Sequence, residues 1–503
     1  LSLLGIDIGS GSCKGVAFDY NGSILASANY AYATYSPGPE MVEIEPEIFW
    51  TAVVTIIRQI AEQTCGNPVE ALAVSSHGET YIPVGQDGKA VGPGVMNSDN
   101  RATEQSEWWD NTVGKQKIYE ITGVPLHPMF ALNKIMWLKK HRPDQFEKTQ
   151  RFLSVEEFIL GKLGLYPVID FSLATRTMAF DIRRQRWSED ILAAAGLPER
   201  KLGSLQPAGT VAGKLTPAVC HMLSLPEGVT VAVGGHDQPC GALGAGAINP
   251  GEVSDSAGTY ECITAVSERP ANTLASLECS LNSYCHVVPN RYVTLAFFPA
   301  GLSVRWFVEQ FCTEEVRIAK ELGISLYDIL NEKVESMCSG PTGVCMTPHM
   351  VGSCNPHWDV RATGVIAGVV PGITKYHMYK AIFEGIAFEM AENISILEKA
   401  IGDFEGMAVS GGNASSAFTV QLRADITNKR MVTLKNKEAV CLGSALLAGV
   451  ATGVYTGYDE AVKMAVTVGD AFIPDSAEQE RYQKQYRKYR QLYPALEGFR
   501  GIV

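Results

Sequence analysis

The chain has 503 residues, too many for one ordinary hydrophobic core, so two large domains are expected. Apolar residues make up 46% and charged residues 19%, a balance that excludes a disordered chain. The net charge of -12 argues against a broad nucleic-acid or membrane-surface role, because both need clustered Lys and Arg, although local amides can still hold a small anion.

The first 35 residues read as a strand meander. Residues 3–8 are apolar and run into a Gly/Ser turn, and residues 14–20 alternate before Asn21-Gly22, a strong hairpin signal. A short strand follows at 71–75 and a helix at 131–141, with Leu132, Ile135, Met136 and Leu138 on one side. The strand VTVAVGG (229–235) runs into HDQPCGALGAG, and 251–266 again reads strand, turn, strand. That second hairpin, with Asp255-x-x-Gly258-Thr259, echoes the first, Asp7-x-Gly9-Ser10, which suggests two related halves facing each other. A helical region at 302–322, a loop-rich segment at 339–356 and a helix at 377–397 come next. A strand at 406–409 then meets the Gly-rich turn SGGNASS and a helix at 417–427. The final helix carries Tyr482, Tyr486, Tyr489 and Tyr493 at packing intervals.

Twelve cysteines are scattered without a CxxC pair, and nine histidines form no cluster with them, so reduced thiols in a cytoplasmic enzyme are expected. The opening LSLLGIDIG has no basic flank, and no apolar run approaches bilayer length, so neither a signal peptide nor a membrane partner is expected.

Phosphoryl transfer needs amides and hydroxyls around phosphates, carboxylates for a divalent cation, and a base near the accepting hydroxyl. DIGSGSCKG (7–15) offers a carboxylate at a strand end, Gly9 and Gly11, the hydroxyls of Ser10 and Ser12, and the cation Lys14. In GGHDQ, Asp237 can accept a hydroxyl proton, or it can serve as a plain helix cap. Gly258 and Thr259 in AGTY, and Gly411, Gly412 and Asn413 in SGGNASS, sit where amide-lined phosphate sites form. His77, Glu79, Asp99, Arg101 and Gln238 are candidates for recognising substrate hydroxyls, although an Asp99–Arg101 surface pair is the plainer reading of those two.

In this order the segments resemble the FGGY carbohydrate kinase family, which includes glycerol kinase, xylulokinase, gluconokinase and ribulokinase. Asp7, Gly9, Ser10, Ser12 and Lys14 match its opening motif, with Ser10 where threonine is usual, and residues 364–384 match its second signature throughout. In the first signature Lys134, Trp137 and Leu138 match, while Ala131 stands where Pro, Ser or Thr is usual. EAVCLGSALLAG (438–449) is similar to a further family block. The resemblance implies an α/β fold of two actin-like (ribonuclease H-like) domains with mixed sheets flanking an interdomain cleft. Residues 1–246 would bind sugar and carry the base, and residues 247–503 would bind nucleotide. It implies ATP and Mg²⁺ as cofactors, Asp237 as general base, and Asp7 with Asp237 organising the metal. Ser10, Ser12, Lys14 and Thr259 would hold the β- and γ-phosphates, and Gly411, Gly412 and Asn413 the adenosine side. Asp7 and Asp237 are expected on opposite rims of the cleft. A homodimer follows by analogy with relatives.

Substrate choice is less defined. Glycerol kinases carry Arg-Glu-Thr where this chain has Gly78-Glu79-Thr80, and Asn97 replaces a common tryptophan. Glu79, Asp99 and Gln238 favour a neutral polyhydroxylated acceptor over an acid such as gluconate. A pentulose such as xylulose is the first expectation and glycerol or another polyol the alternative. A sugar-binding sensor and an actin-like ATPase are the readings of another class.

Overall fold

The computed structural model describes residues 1–501, apart from the side chains of Asn413 and Ser415. Two mixed sheets organise it. In the first the order is Val211–Lys214, Thr230–His236, Val69–Ser76, Ser2–Ile8, Ser12–Phe18, Ile24–Ala31. In the second it is Val468–Phe472, Arg430–Leu434, Gly406–Ser410, Val253–Ala257, Tyr260–Ser267, Tyr292–Pro299, Asn282–Cys285. Each begins with an antiparallel edge, passes through three parallel strands and ends in an antiparallel meander, so one plan is built twice. The central strands Val69–Ser76 and Thr230–His236 are buried almost throughout, as parallel strands covered on both faces must be.

Helix Glu47–Gln63 covers one face of the first sheet with Phe49, Val53, Ile56, Ile57 and Ile60, spaced for a single helical stripe. The opposite face is covered by Ala439–Thr452, a helix of the second half that lies across Ser2–Ile8, Val69–Ser76 and Thr230–His236. It also packs on Asp237–Gly244. The two helices nearly touch backbone to backbone: a Cβ at Gly443 would stand 1.8 Å from the Cys240 carbonyl oxygen. Only glycine permits that approach. The strands therefore separate cleanly between the halves, while helix Ala439–Thr452 crosses over.

Between Val69–Ser76 and Val211–Lys214 the chain builds a further core around Trp109, Tyr119, Phe130 and Phe180, which packs on Tyr284 and Val293 of the second half. The helical region expected at 302–322 is divided at Cys312 into Gly301–Phe311 and Thr313–Leu322. Glu314 and Glu315 suit the new helix start, where unpaired amides favour acids. In the last long helix, Ser476–Tyr489, Tyr482 and Tyr489 are buried and Tyr486 stacks on Phe388 at 5.6 Å. No helix among the described residues is long and apolar enough to cross a membrane.

Candidate active site

Strand register brings the two aspartates together. Asp7 pairs with Ser75 on one side of Val69–Ser76, and Gly235 pairs with Ser75 on the other. Two strand spacings put the exits of Ser2–Ile8 and Thr230–His236 roughly 10 Å apart, at the carboxyl ends of parallel strands where ligands of such sheets collect. Both aspartates thus rise from the first sheet. The expectation of opposite rims is corrected: parallel strands on either side of Val69–Ser76 deliver them to the same edge of one sheet.

Asp7 accepts a hydrogen bond from Ser75 Oγ at 3.0 Å, and burial pushes its carboxyl up to about 6 against the pull of Ser75 and Lys14. Asp237 opens helix Asp237–Gly244, and burial, then the Asp7 and Glu79 carboxylates, push it up to about 8. Its Oδ1 lies 3.2 Å from His236 Nε2 yet is a buried oxygen with no hydrogen-bond partner. Burial keeps His236 neutral, and its Nδ1 is 2.8 Å from the Tyr284 hydroxyl. An orphaned carboxylate oxygen beside a second raised carboxylate is a place where a cation or a hydroxyl proton is welcome. No group of three or more His, Cys, Asp or Glu side chains suited to a metal occurs among the described residues, so a cation here would share two carboxylates with phosphate and water.

The first turn is tight: Gly9 N–H donates to the Ser12 carbonyl at 2.9 Å, and Ser10 and Gly11 are exposed. Lys14 is engaged by both carboxylate oxygens of Glu438, each at 2.8 Å, and Glu438 belongs to the second half. Gly258 and Thr259 are exposed in the second turn, tied back by the Ala300 and Gly301 N–H groups. Gly411 adopts φ 93°, and a Cβ there would stand 2.5 Å from the Ala257 carbonyl oxygen, so the SGGNASS turn lies directly against the second phosphate hairpin. Gly412 opens onto a cavity of about 380 Å³ walled by Val304, Tyr327, Tyr379 and Phe383, with Asp328, Asn331 and Ser416 among its polar groups. The side chain of Asn413, expected beside it, lies outside the described residues.

At the other end, the expected hydroxyl-reading residues divide. Glu79 is held in the left-handed region at φ 61°, an uncommon state for such a residue, and its charge is felt at Asp237. The side chain of Gln238, next to Asp237, is partly buried and makes no hydrogen bond to a described residue. His77, Asp99 and Arg101 are spent elsewhere. His77 Nδ1 faces the Ile8 carbonyl at 2.9 Å and Nε2 faces Thr80 Oγ1 at 2.8 Å, so both ring nitrogens are used. Asp99 receives Val42 N–H and a chelating Arg101, which also pairs with Glu43 at 2.8 Å. Burial demands such mutual satisfaction, and it leaves neither group free for a substrate.

Four residues absent from the sequence reading form a network beside Glu79. Arg176 binds Glu79, and Asn282 binds Arg176 from the second half. His127 packs on Trp358 across the halves at 5.4 Å, and the Trp358 indole N–H is buried without a partner. No local motif marks any of them.

A family model for the N-terminal domain of FGGY carbohydrate kinases matches residues 2–244, and the C-terminal model matches residues 254–452. The chain belongs to the FGGY family of carbohydrate kinases. As an FGGY kinase it is a phosphotransferase acting on sugar or polyol hydroxyls. It is similar to the gluconokinase of Bacillus licheniformis, 27% identical over 498 residues, covering 98% of this chain and 94% of that protein. It is equally similar to the xylulose kinase of Lactococcus lactis, 27% identical over 499 residues, covering 98% of this chain and 96% of that one. In fold it matches the ligand-bound xylulose kinase of Lactobacillus acidophilus, with TM-score 0.88, 24% identity and 98% of each chain covered. At such identities the family is fixed and the acceptor is not.

Proposed function

We propose that this FGGY kinase transfers the γ-phosphoryl group of ATP to a hydroxyl of a neutral ketose or polyol, with a pentulose such as xylulose as the first acceptor to test. The observation that carries the reading is Asp237, a carboxyl at the cleft edge with one buried, unpartnered oxygen, beside Asp7 and within the electrostatic reach of Glu79. As general base, Asp237 takes the acceptor's proton and holds the attacking oxygen in line. Ser10, Ser12, Lys14 and Thr259 surround the β- and γ-phosphates, and the cavity beyond Gly412 takes the base of the nucleotide. Its apolar walls suit a purine face, and Asn331 and Ser416 suit its polar edge. Mg²⁺, when bound, neutralises charge on the phosphates, and Asp7 and Asp237 are the residues that would hold it. Closure of the halves over both ligands excludes water, the competing acceptor.

A neutral acceptor is favoured because no described residue at the sugar end offers an unmatched cation. Arg176 is matched by Glu79, burial pushes His127 down to about 4, and Lys134 is fully buried with its ammonium on the Met96 carbonyl. A coupled assay for ADP over xylulose, ribulose, fuculose, erythritol, glycerol and gluconate tests the reading. Acceptor-dependent ADP release with a neutral compound supports it. Acceptor-independent ATP hydrolysis would make the protein an actin-like ATPase, and sugar binding without turnover would make it a sensor.

A further inference from the structure

Arg176 is the largest charged group at the sugar end that no motif accounts for. A Cβ at Gly78 would stand 2.6 Å from Arg176 Cγ, 2.9 Å from its Cβ and 3.0 Å from His236 Cδ2. The arginine stem therefore occupies the space that a side chain at position 78 would fill. The guanidinium lies 5.1 Å from the Phe130 ring centroid and 5.2 Å from that of Tyr284, which fixes its plane. Arg176 Nε donates to Glu79 Oε1 at 2.5 Å, and Nη1 donates to Asn282 Oδ1 at 3.0 Å. Nη2 also pairs with Glu79 Oε1, so three of the five N–H groups of the guanidinium are engaged and two remain, and no described residue donates to Glu79 Oε2. Behind the pair, the cavity lined by Thr80, Leu173 and Trp187 has about 20 Å³, room for one water and no sugar. Both groups also act on the Asp237 carboxyl, so the face of the pair toward Asp237 is the one that a sugar held at Asp237 would meet.

We propose that Arg176 and Glu79 form one donor–acceptor unit that reads adjacent oxygens of the acceptor, the guanidinium donating to one and the free carboxylate oxygen accepting from the next hydroxyl. This rests on the kinase reading above and deepens it: the unit is electrically neutral, so it selects a neutral polyol or ketose over an aldonate of equal length. Gly78 is the residue that makes room for it, and Asn282 ties the unit to the second half. A lysine cannot replace this arginine, because a point ammonium lacks the fork that reaches Glu79, Asn282 and a ligand together.

The test compares wild type with Arg176→Lys, and with the charge-balanced pair Glu79→Gln plus Arg176→Met in case the single variant does not fold. Acceptor KM, ATP KM and acceptor-induced thermal shift without nucleotide are measured for the best neutral acceptor and for gluconate. Both variants should raise the neutral acceptor's KM roughly 10- to 100-fold, with ATP KM within about twofold and the acceptor-induced shift lost. An acceptor KM within about twofold of wild type in a folded variant overturns the proposal. So does an equal rise in ATP KM, or a wild-type preference for gluconate. The thermal shift keeps the two readings apart: a sugar-induced shift without phosphoryl transfer overturns the kinase reading while Arg176 is still tested by binding. Turnover that is insensitive to Arg176 overturns this inference alone. A wild type that binds none of the panel overturns both.

Discussion

The two acidic hairpins come from one plan and meet opposite fates. In the first, Asp7 stands two residues before Gly9 and is half-buried at the cleft edge. In the second, the residue two before Gly258 is Ser256, also half-buried, and it pairs with Ser410 much as Asp7 pairs with Ser75. Asp255 stands one residue further back. Side chains alternate along a strand, so that single residue turns Asp255 to the other face. There it is fully buried beside Glu261, whose Oε2 accepts from Arg423 Nη2 at 3.0 Å. Burial and the Glu261 carboxylate push Asp255 well above the usual carboxylate range. One hairpin leaves its acid partly open at the sheet edge, whereas the other seals its acid into the domain core. The echo between Asp-x-Gly and Asp-x-x-Gly is real in topology and false in chemistry.

The hardest test of that contrast is a pair of amide substitutions. Asp237→Asn should cut acceptor-dependent turnover by roughly three orders of magnitude or more, with ATP affinity nearly unchanged by direct binding. Asp255→Asn should keep turnover within a few-fold, and a comparable collapse there would erase the distinction between the hairpins. The next largest effect is on stability. Arg423→Met strands two buried carboxyls and should cost about 3–5 kcal/mol by denaturant unfolding. Asp7→Asn removes a carboxylate whose charged form burial already disfavours, so it should not lower the unfolding midpoint.

A pH profile sharpens the picture further. Under the proposed mechanism Asp237 must be ionised to act as base, and burial, then the Asp7 and Glu79 carboxylates, hold it up to about 8. The kcat/KM for the acceptor should therefore rise with pH, by up to about tenfold per unit, and level off above pH 8. A profile flat from pH 6 to 9 would remove Asp237 from the role. The smallest effect belongs to Lys14→Met, which should raise the ATP KM about three- to tenfold. The wild-type lysine must leave or share Glu438 to meet phosphate, and that exchange offsets part of the gain. If Lys14→Met alters only acceptor affinity, the phosphate end has been misplaced.

Much of the fold was legible because its signals are local. Asn21-Gly22, the Gly/Ser turn at 9–12 and the long apolar runs at 71–75 and 229–235 each announce an element through a few adjacent residues. Asp7 and Asp237 stood out for the same reason, as acids where strands end in glycine-rich turns. His77, Asp99 and Arg101 carried the same outward marks of polarity, yet packing consumed them. Whether a polar group is free depends on what the rest of the chain places against it, and no neighbouring residue records that.

The sequence by itself determined the strands, the turns, the doubled architecture and the identity of the acids that end the central strands, because backbone preference and hydrophobic period act over a few residues. Tertiary structure alone decided which of those acids face the cleft. It also joined Arg176 to Glu79 across 97 residues, Arg176 to Asn282 across 106, and Lys14 to Glu438 across 424. Such pairings are settled by burial: a charge removed from water must find its partner wherever the folded chain puts one.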